Sequence, residues 1–106
     1  MINHIVFLAF KSYITEPEIN SVLNQLGHLM KVIPSMKDFS FGKNCSPEKL
    51  NQGYTHVFIM KFDDANGRDI YLNHPEHKRI AADLIIPILE NGLESVLVVD
   101  YEDQQL

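Results

Sequence analysis

The sequence predicts an α+β fold, with four strands and two helices in the order β-α-β-β-α-β. Short apolar runs of strand composition lie near the start, in the middle and at the end of the chain. Between them, apolar residues recur at helical spacing behind residues that favour a helix start. The strand runs also fail to alternate. Val6-Phe7-Leu8-Ala9-Phe10, Val57-Phe58-Ile59-Met60 and Val96-Leu97-Val98-Val99 are apolar at successive positions, and therefore on both faces of a sheet.

The first strand is read over residues 5–10. Thr15-Glu16-Pro17-Glu18 then starts a helix. Thr15 caps, Pro17 fits the first turn, and Glu18 stands three residues on, as in a capping box. Ile19, Val22, Leu23, Leu26, Leu29 and Met30 follow on one helical face, and Pro34 is expected to end the helix. Phe39 to Phe41 reads as a short second strand and Tyr54 to Phe62 as a strong third. Asp63 or Asp64 caps a short helix running to about His74. Pro75 restarts a helix with His77, Ile80, Ala81 and Leu84 on one face, and Pro87 with Asn91-Gly92 closes it. The last strand spans Ser95 to Tyr101. This order is the ferredoxin-like arrangement: one four-stranded antiparallel sheet with both helices on a single face. A chain of 106 residues is one domain (1–106), with no linker and no low-complexity segment. Its helices cannot cover the second apolar face. A second copy of the chain is expected there, making a symmetric dimer with two sheets packed face to face.

The net charge of −5 and the scattered basic residues argue against nucleic acid or an anionic membrane as partner. No apolar run is long enough to span a membrane, and the N-terminus enters the fold without a basic leader, so the expected compartment is the cytoplasm. Cys45 is the only cysteine and sits in the loop-like Gly42-Lys43-Asn44-Cys45-Ser46-Pro47, which rules out an internal disulfide. Structural zinc favours cysteine and four ligands, so no metal site is expected.

The chemistry-bearing stretch is Tyr71-Leu72-Asn73-His74-Pro75-Glu76-His77, two imidazoles and a phenol behind the strand entry Tyr54-Thr55-His56. Imidazole moves protons near neutral pH. His77 lies on the apolar face of its helix, where desolvation favours its neutral, proton-accepting form. It reads either as a base or as a core histidine bonded to a backbone carbonyl or to Asp100. Tyr71 reads as a carbonyl-binding phenol or as a core aromatic. His74, before Pro75, reads as a capping residue. By strand parity His4 shares a face with Val6 and Leu8, His56 with Phe58 and Met60, and Asp100 with Val96 and Val98. If all of these face the helices, they line one cavity beside His77. Asp100 then reads as the acid that orients an imidazole, or as a salt-bridge partner at the strand end.

His4-Ile5-Val6, Ile33-Pro34-Ser35-Met36-Lys37-Asp38 with Gly42-Lys43, Gly53-Tyr54-Thr55-His56, the Tyr71–His77 stretch and Asp100-Tyr101 occur in order along nearly the whole chain. In these segments the chain resembles the Dabb family, the stress-responsive A/B barrel domains of the dimeric α+β barrel superfamily. The resemblance implies a ferredoxin-like protomer and a homodimer. It also implies a plant polyketide cyclase's chemistry as one option: cofactor-free aldol closure with His77 as base and Tyr71 polarising a carbonyl, and His56, His4 and Asp100 at matching site positions. The aromatic residues of that cyclase's first helix become Val22, Leu23 and Leu26 here, and the 84–94 stretch is longer. The pocket shape should therefore differ, and the polyketide substrate does not carry over. The expected catalytic set is His77, Tyr71, His56 and Asp100. The expected ligand-binding set is His4, Val6, Leu8, Val22, Leu23, Leu26, Phe58, Met60, Val96 and Val98. Three functions compete: a cofactor-independent cyclase or isomerase acting on a small apolar carbonyl compound, a non-enzymatic stress-response or ligand-binding dimer, and a monooxygenase acting on an aromatic compound.

Overall fold

The computed structural model describes residues 1–106. Four strands, β1 (Ile2–Leu8), β2 (Asp38–Lys43), β3 (His56–Phe62) and β4 (Val96–Glu102), form one sheet in the order β2-β3-β1-β4. Every neighbouring pair is antiparallel. The register runs from Ile2↔Phe62 to Leu8↔His56 on one side of β1, and from Ile2↔Glu102 to Leu8↔Val96 on the other. This is the ferredoxin-like arrangement expected from the element order.

Helix α1 (Glu16–Gly27) begins with the expected capping box. The Glu18 amide donates to Thr15 Oγ1 at 3.3 Å, and the Thr15 amide donates to a Glu18 carboxylate oxygen at 3.1 Å. These two bonds satisfy amides that the first turn leaves without helical partners. Ile19, Leu23 and Leu26 form its buried stripe. The α-helix stops at Gly27, short of the expected end at Pro34. A tighter 3₁₀ turn, His28–Lys31, carries the chain on, and Leu29 and Ile33 remain buried. The stop coincides with a close approach to the sheet. A Cβ on Gly27 would lie 2.6 Å from a ring carbon of Phe39.

Helix α2 (Ala65–Asn73) is capped by Asp64, whose carboxylate accepts from the Gly67 amide at 2.8 Å. Helix α3 (Pro75–Ile80) is capped by His74, whose Nδ1 accepts from the Glu76 amide at 3.1 Å. The chain then passes through a π-helical turn (Ala81–Ile85) and short 3₁₀ turns (Ile86–Ile88 and Gly92–Ser95) instead of closing one regular helix. This segment is strapped to the residues just beyond β1. Phe10 bridges Leu89, the Lys11 amide donates to Ile88 at 3.0 Å, and the Glu90 amide donates to Ala9 at 2.9 Å. Residues 9–10, expected as strand, therefore leave the main sheet and hold this segment. The strand instead starts early, at Ile2, where β4 and the residue just beyond it supply partners for two buried polar side chains. Asn3 Nδ2 donates to Asp103 at 2.7 Å, and His4 bonds to Asp100.

Ile2, His4, Val6 and Leu8 on β1 and His56, Phe58, Met60 and Phe62 on β3 are buried under the helices. The opposite face carries no helix. There Ile5, Phe7, Val57 and Ile59 are half-buried, while Leu97, Val99 and Tyr101 are 43%, 45% and 51% exposed. Replacing Gly27 should report on the tightest joint in this packing. Gly27→Val must displace the Phe39 ring or the helix end, and is expected to lower stability by about 2 kcal/mol, read from denaturant midpoints at unchanged slope. An unchanged midpoint would mean the joint is loose.

Candidate functional site

Helices α2 and α3 meet the β1–β4 half of the sheet around an apolar cavity of about 270 Å³. Its polar groups are His4 on β1, Asp100 on β4, Tyr71 on α2 and His77 on α3. Of the other residues expected here, Val6, Leu8, Leu26, Phe58, Val96 and Val98 line it. Leu72, Ala81, Ile85, Ile86, Leu89 and Leu93 complete the wall.

The spacing of Tyr71 and His77 across the Asn73–Pro75 helix break brings their rings together. The ring centroids are 4.3 Å apart at an interplanar angle of 42°. His4 also packs edge-on against Tyr71, with ring centroids 5.9 Å apart. The His77 Nδ1 lies 3.1 Å from the carbonyl oxygen of Leu72. A carbonyl can only accept, so Nδ1 carries the proton and Nε2 keeps its lone pair. Burial lowers the His77 pKa, opposed by the Leu72 bond and aided by His4, Lys78 and His74. Its neutral, basic form is thereby favoured. Tyr71 is 1% exposed, and burial raises the pKa of its phenol, which keeps the hydroxyl protonated and able to donate.

The Tyr71 hydroxyl, the His77 Nε2 and the His4 Nε2 make no hydrogen bond within the chain, and no sealed side-chain polar atom is without a partner. All three atoms therefore open onto cavity space.

The acid at the strand end orients an imidazole, but a different one from His77. His4 Nδ1 lies 2.7 Å from Asp100 Oδ1. The other carboxylate oxygen, Oδ2, accepts from Arg68 Nη1 at 3.2 Å. Arg68 was not anticipated from the sequence, because a charged residue mid-helix reads as solvated. It stands three residues before Tyr71, and that spacing places the two on one face of α2.

Four expected residues lie outside the cavity. His56 is buried at the far end of β3, where both its nitrogens are engaged. Nε2 faces Glu16 at 3.0 Å and Nδ1 faces the Thr55 hydroxyl at 2.8 Å. The carboxylate fixes the proton on Nε2, and the hydroxyl takes the remaining lone pair. His56 thus has no free nitrogen for a reactant. It ties the first turn of α1 to β3, and its hydrogen bond holds the Glu16 carboxyl below its usual range. Leu23 and Met60 are fully buried in the solid core, and Val22 packs half-buried against it. They share a face with cavity residues but are covered before they reach it.

No group of three or more His, Cys, Asp or Glu side chains is placed to hold a metal ion. No helix is long and apolar enough to cross a membrane.

The sequence matches the model of the stress responsive A/B barrel domain over residues 2–103. It is 33% identical to the stress-response A/B barrel domain-containing protein HS1 of Arabidopsis thaliana over 101 residues, covering 95% of this chain and 88% of that protein. It is 28% identical to olivetolic acid cyclase of Cannabis sativa over 100 residues, covering 94% of each. Among solved structures it superimposes with a TM-score of 0.85 on a dimeric ferredoxin-like protein of unknown function from Jannaschia sp. CCS1, at 27% identity over 96% of this chain and 98% of that one. The match spans almost the whole chain and takes in every strand and helix around the cavity, so the chain belongs to the stress responsive A/B barrel domain (Dabb) family.

Proposed function

We propose that the protein is a cofactor-independent acid–base catalyst acting on a small, largely apolar carbonyl compound, by aldol-type bond formation or cleavage. One observation carries this reading: a neutral imidazole and a protonated phenol, 4.3 Å apart between ring centroids, expose their unpartnered polar atoms to one apolar cavity. His77 Nε2 takes a proton from the carbon beside the carbonyl. The Tyr71 hydroxyl donates a hydrogen bond to the carbonyl oxygen as negative charge develops there. The hydrocarbon lining of the cavity strengthens that bond. The cyclase among the relatives is consistent with such chemistry, while the wall formed by residues 81–93 argues for a ligand of different shape.

The working unit is a homodimer formed through the helix-free sheet face, in a cytoplasmic setting. Support comes from the half-exposed Leu97, Val99 and Tyr101 beside Ile5, Phe7, Val57 and Ile59, and from the dimeric state of the Jannaschia relative.

Deuterium incorporation beside the carbonyl of an aryl methyl ketone, followed by proton NMR in heavy water, tests the base. His77→Gln should slow incorporation by about 100-fold, and Tyr71→Phe by about tenfold. A wild-type protein that binds the ketone but exchanges nothing would instead make the cavity a binding site.

The lowered His77 pKa fixes two signs. The acidic limb of the exchange rate should fall below pH 6.5, the ordinary histidine value, because the base stays neutral to lower pH. In the same window the unfolded chain binds more protons than the native one, so stability falls as pH drops through it. The loss of Tm between about pH 7 and pH 5 should be smaller in His77→Gln than in the wild type. An equal loss would detach His77 from the titration.

For the interface, Leu97→Glu combined with Val99→Glu should convert a dimer seen by native mass spectrometry into monomers. A wild-type protein that is monomeric at every concentration would remove the proposed interface.

A further inference from the structure

We propose that His4 is a second proton-transfer residue of this site, and that Arg68 is the positioning residue that sets it through Asp100. The inference rests on the function proposed above and assigns the acid that complements the His77 base.

His4 is 4% exposed, and its two nitrogens have unlike surroundings. Nδ1 meets a carboxylate, and Nε2 opens onto the cavity. Since the carboxylate accepts, the proton belongs on Nδ1 and the cavity sees Nε2. Asp100 has freedom of its own, because a carboxylate can rotate and offer either oxygen. Arg68 removes that freedom. It reaches from α2 to hold Oδ2 while Oδ1 faces His4. A second bond, from Arg68 Nε to Asp69 at 3.1 Å, anchors the guanidinium from the other side. The line Arg68–Asp100–His4 thus joins α2, β4 and β1 and ends on a nitrogen aimed at the reactant.

The two cavity imidazoles are consequently unlike. The Nδ1 of His77 is backed by a backbone carbonyl, a dipole, while the Nδ1 of His4 is backed by a full negative charge. A carboxylate can balance an imidazolium, as the acid of a triad does. The charged partner suits His4 to the acid's role, and the backbone dipole leaves His77 to the base's. The titratable groups facing His4 are Asp100 from β4, Arg68 and Tyr71 from α2 and His77 from α3. Its neighbours on β3, Phe58 and Met60, carry no charge.

In the aldol direction, His77 Nε2 accepts the C–H proton as the new C–C bond forms. His4 Nε2–H gives its proton to the oxygen of the attacked carbonyl, which becomes a hydroxyl. His77 has then gained one proton and His4 has lost one, and exchange with water restores both. Cleavage of a β-hydroxy ketone runs the same transfers backwards.

Cleavage of 4-hydroxy-4-phenylbutan-2-one by the full-length protein, followed across pH, tests the acid. The wild type should give a bell-shaped profile. His4→Gln should reduce the rate at least about tenfold and erase one limb of the bell, whereas His77→Gln erases the other. A bell that persists in His4→Gln overturns the assignment of His4 but leaves the His77 base standing. A bell that persists in His77→Gln overturns the base.

The positioning role is read without turnover, by ¹⁵N NMR of the histidine rings in the free protein. Wild-type His4 should show a protonated Nδ1 and a bare Nε2 at alkaline pH. Arg68→Met should give a mixture of the two tautomers, and Arg68→Lys should restore most of the wild-type pattern. An unchanged His4 spectrum in Arg68→Met overturns the role of Arg68. A wild-type spectrum with the proton on Nε2 overturns the proposal at its root.

Discussion

A buried imidazole has two nitrogens and must satisfy both, and how that demand is met decides the character of each histidine in this fold. His56 meets it entirely from within the chain and becomes a structural tie between α1 and β3. His4 and His77 meet it by half. Each uses Nδ1 on a protein acceptor and leaves Nε2 to the cavity. Because no sealed polar atom goes without a partner, those two nitrogens and the Tyr71 hydroxyl are the polar atoms left open to the cavity. The low dielectric of the hydrocarbon wall makes each of them count for more than it would in water.

The sheet supplies the rigidity this arrangement needs. His4 and Asp100 are direct register partners across β1 and β4, so their separation is set by backbone ladders and owes nothing to a loop. Tyr71 and His77 sit on two short helices separated by one break, with His74 capping the second helix through its own side chain. A capped break of this kind gives the two rings a fixed approach that a continuous helix would not. The remaining wall is less regular. Residues 81–95 run through π and 3₁₀ turns, held by backbone bonds to residues 9–11.

Both faces of the sheet are apolar, and they serve different ends. The helix-covered face contains the core and the cavity. The other face leaves Leu97, Val99 and Tyr101 about half-exposed at the β4 edge, where no element of the same chain reaches them. Leu97, Val99 and Tyr101 lie on the same strand as Asp100, with alternate residues pointing to opposite faces.

The sequence by itself determined the element order, the capping box at Thr15 and Glu18, the helix break at Pro75 and the doubly apolar strands, because each depends on residues close in the chain. Strand parity also grouped His4 with Val6 and Leu8, and Asp100 with Val96 and Val98, since alternation is a local rule, but it left open which face each strand turns to the helices. Only the tertiary structure decided which of these residues reach open space. Leu23 and Met60 satisfy the same periodicity as Leu26 and Phe58, yet they end in solid core. The partners of the histidines were equally out of reach. Glu16 is 40 positions from His56, and Asp100 is 96 from His4. Arg68 looked like a solvated helix residue until the fold brought Asp100 beneath it. Periodicity reports which way a side chain points, but what stands opposite depends on how distant segments pack, and no local pattern encodes that.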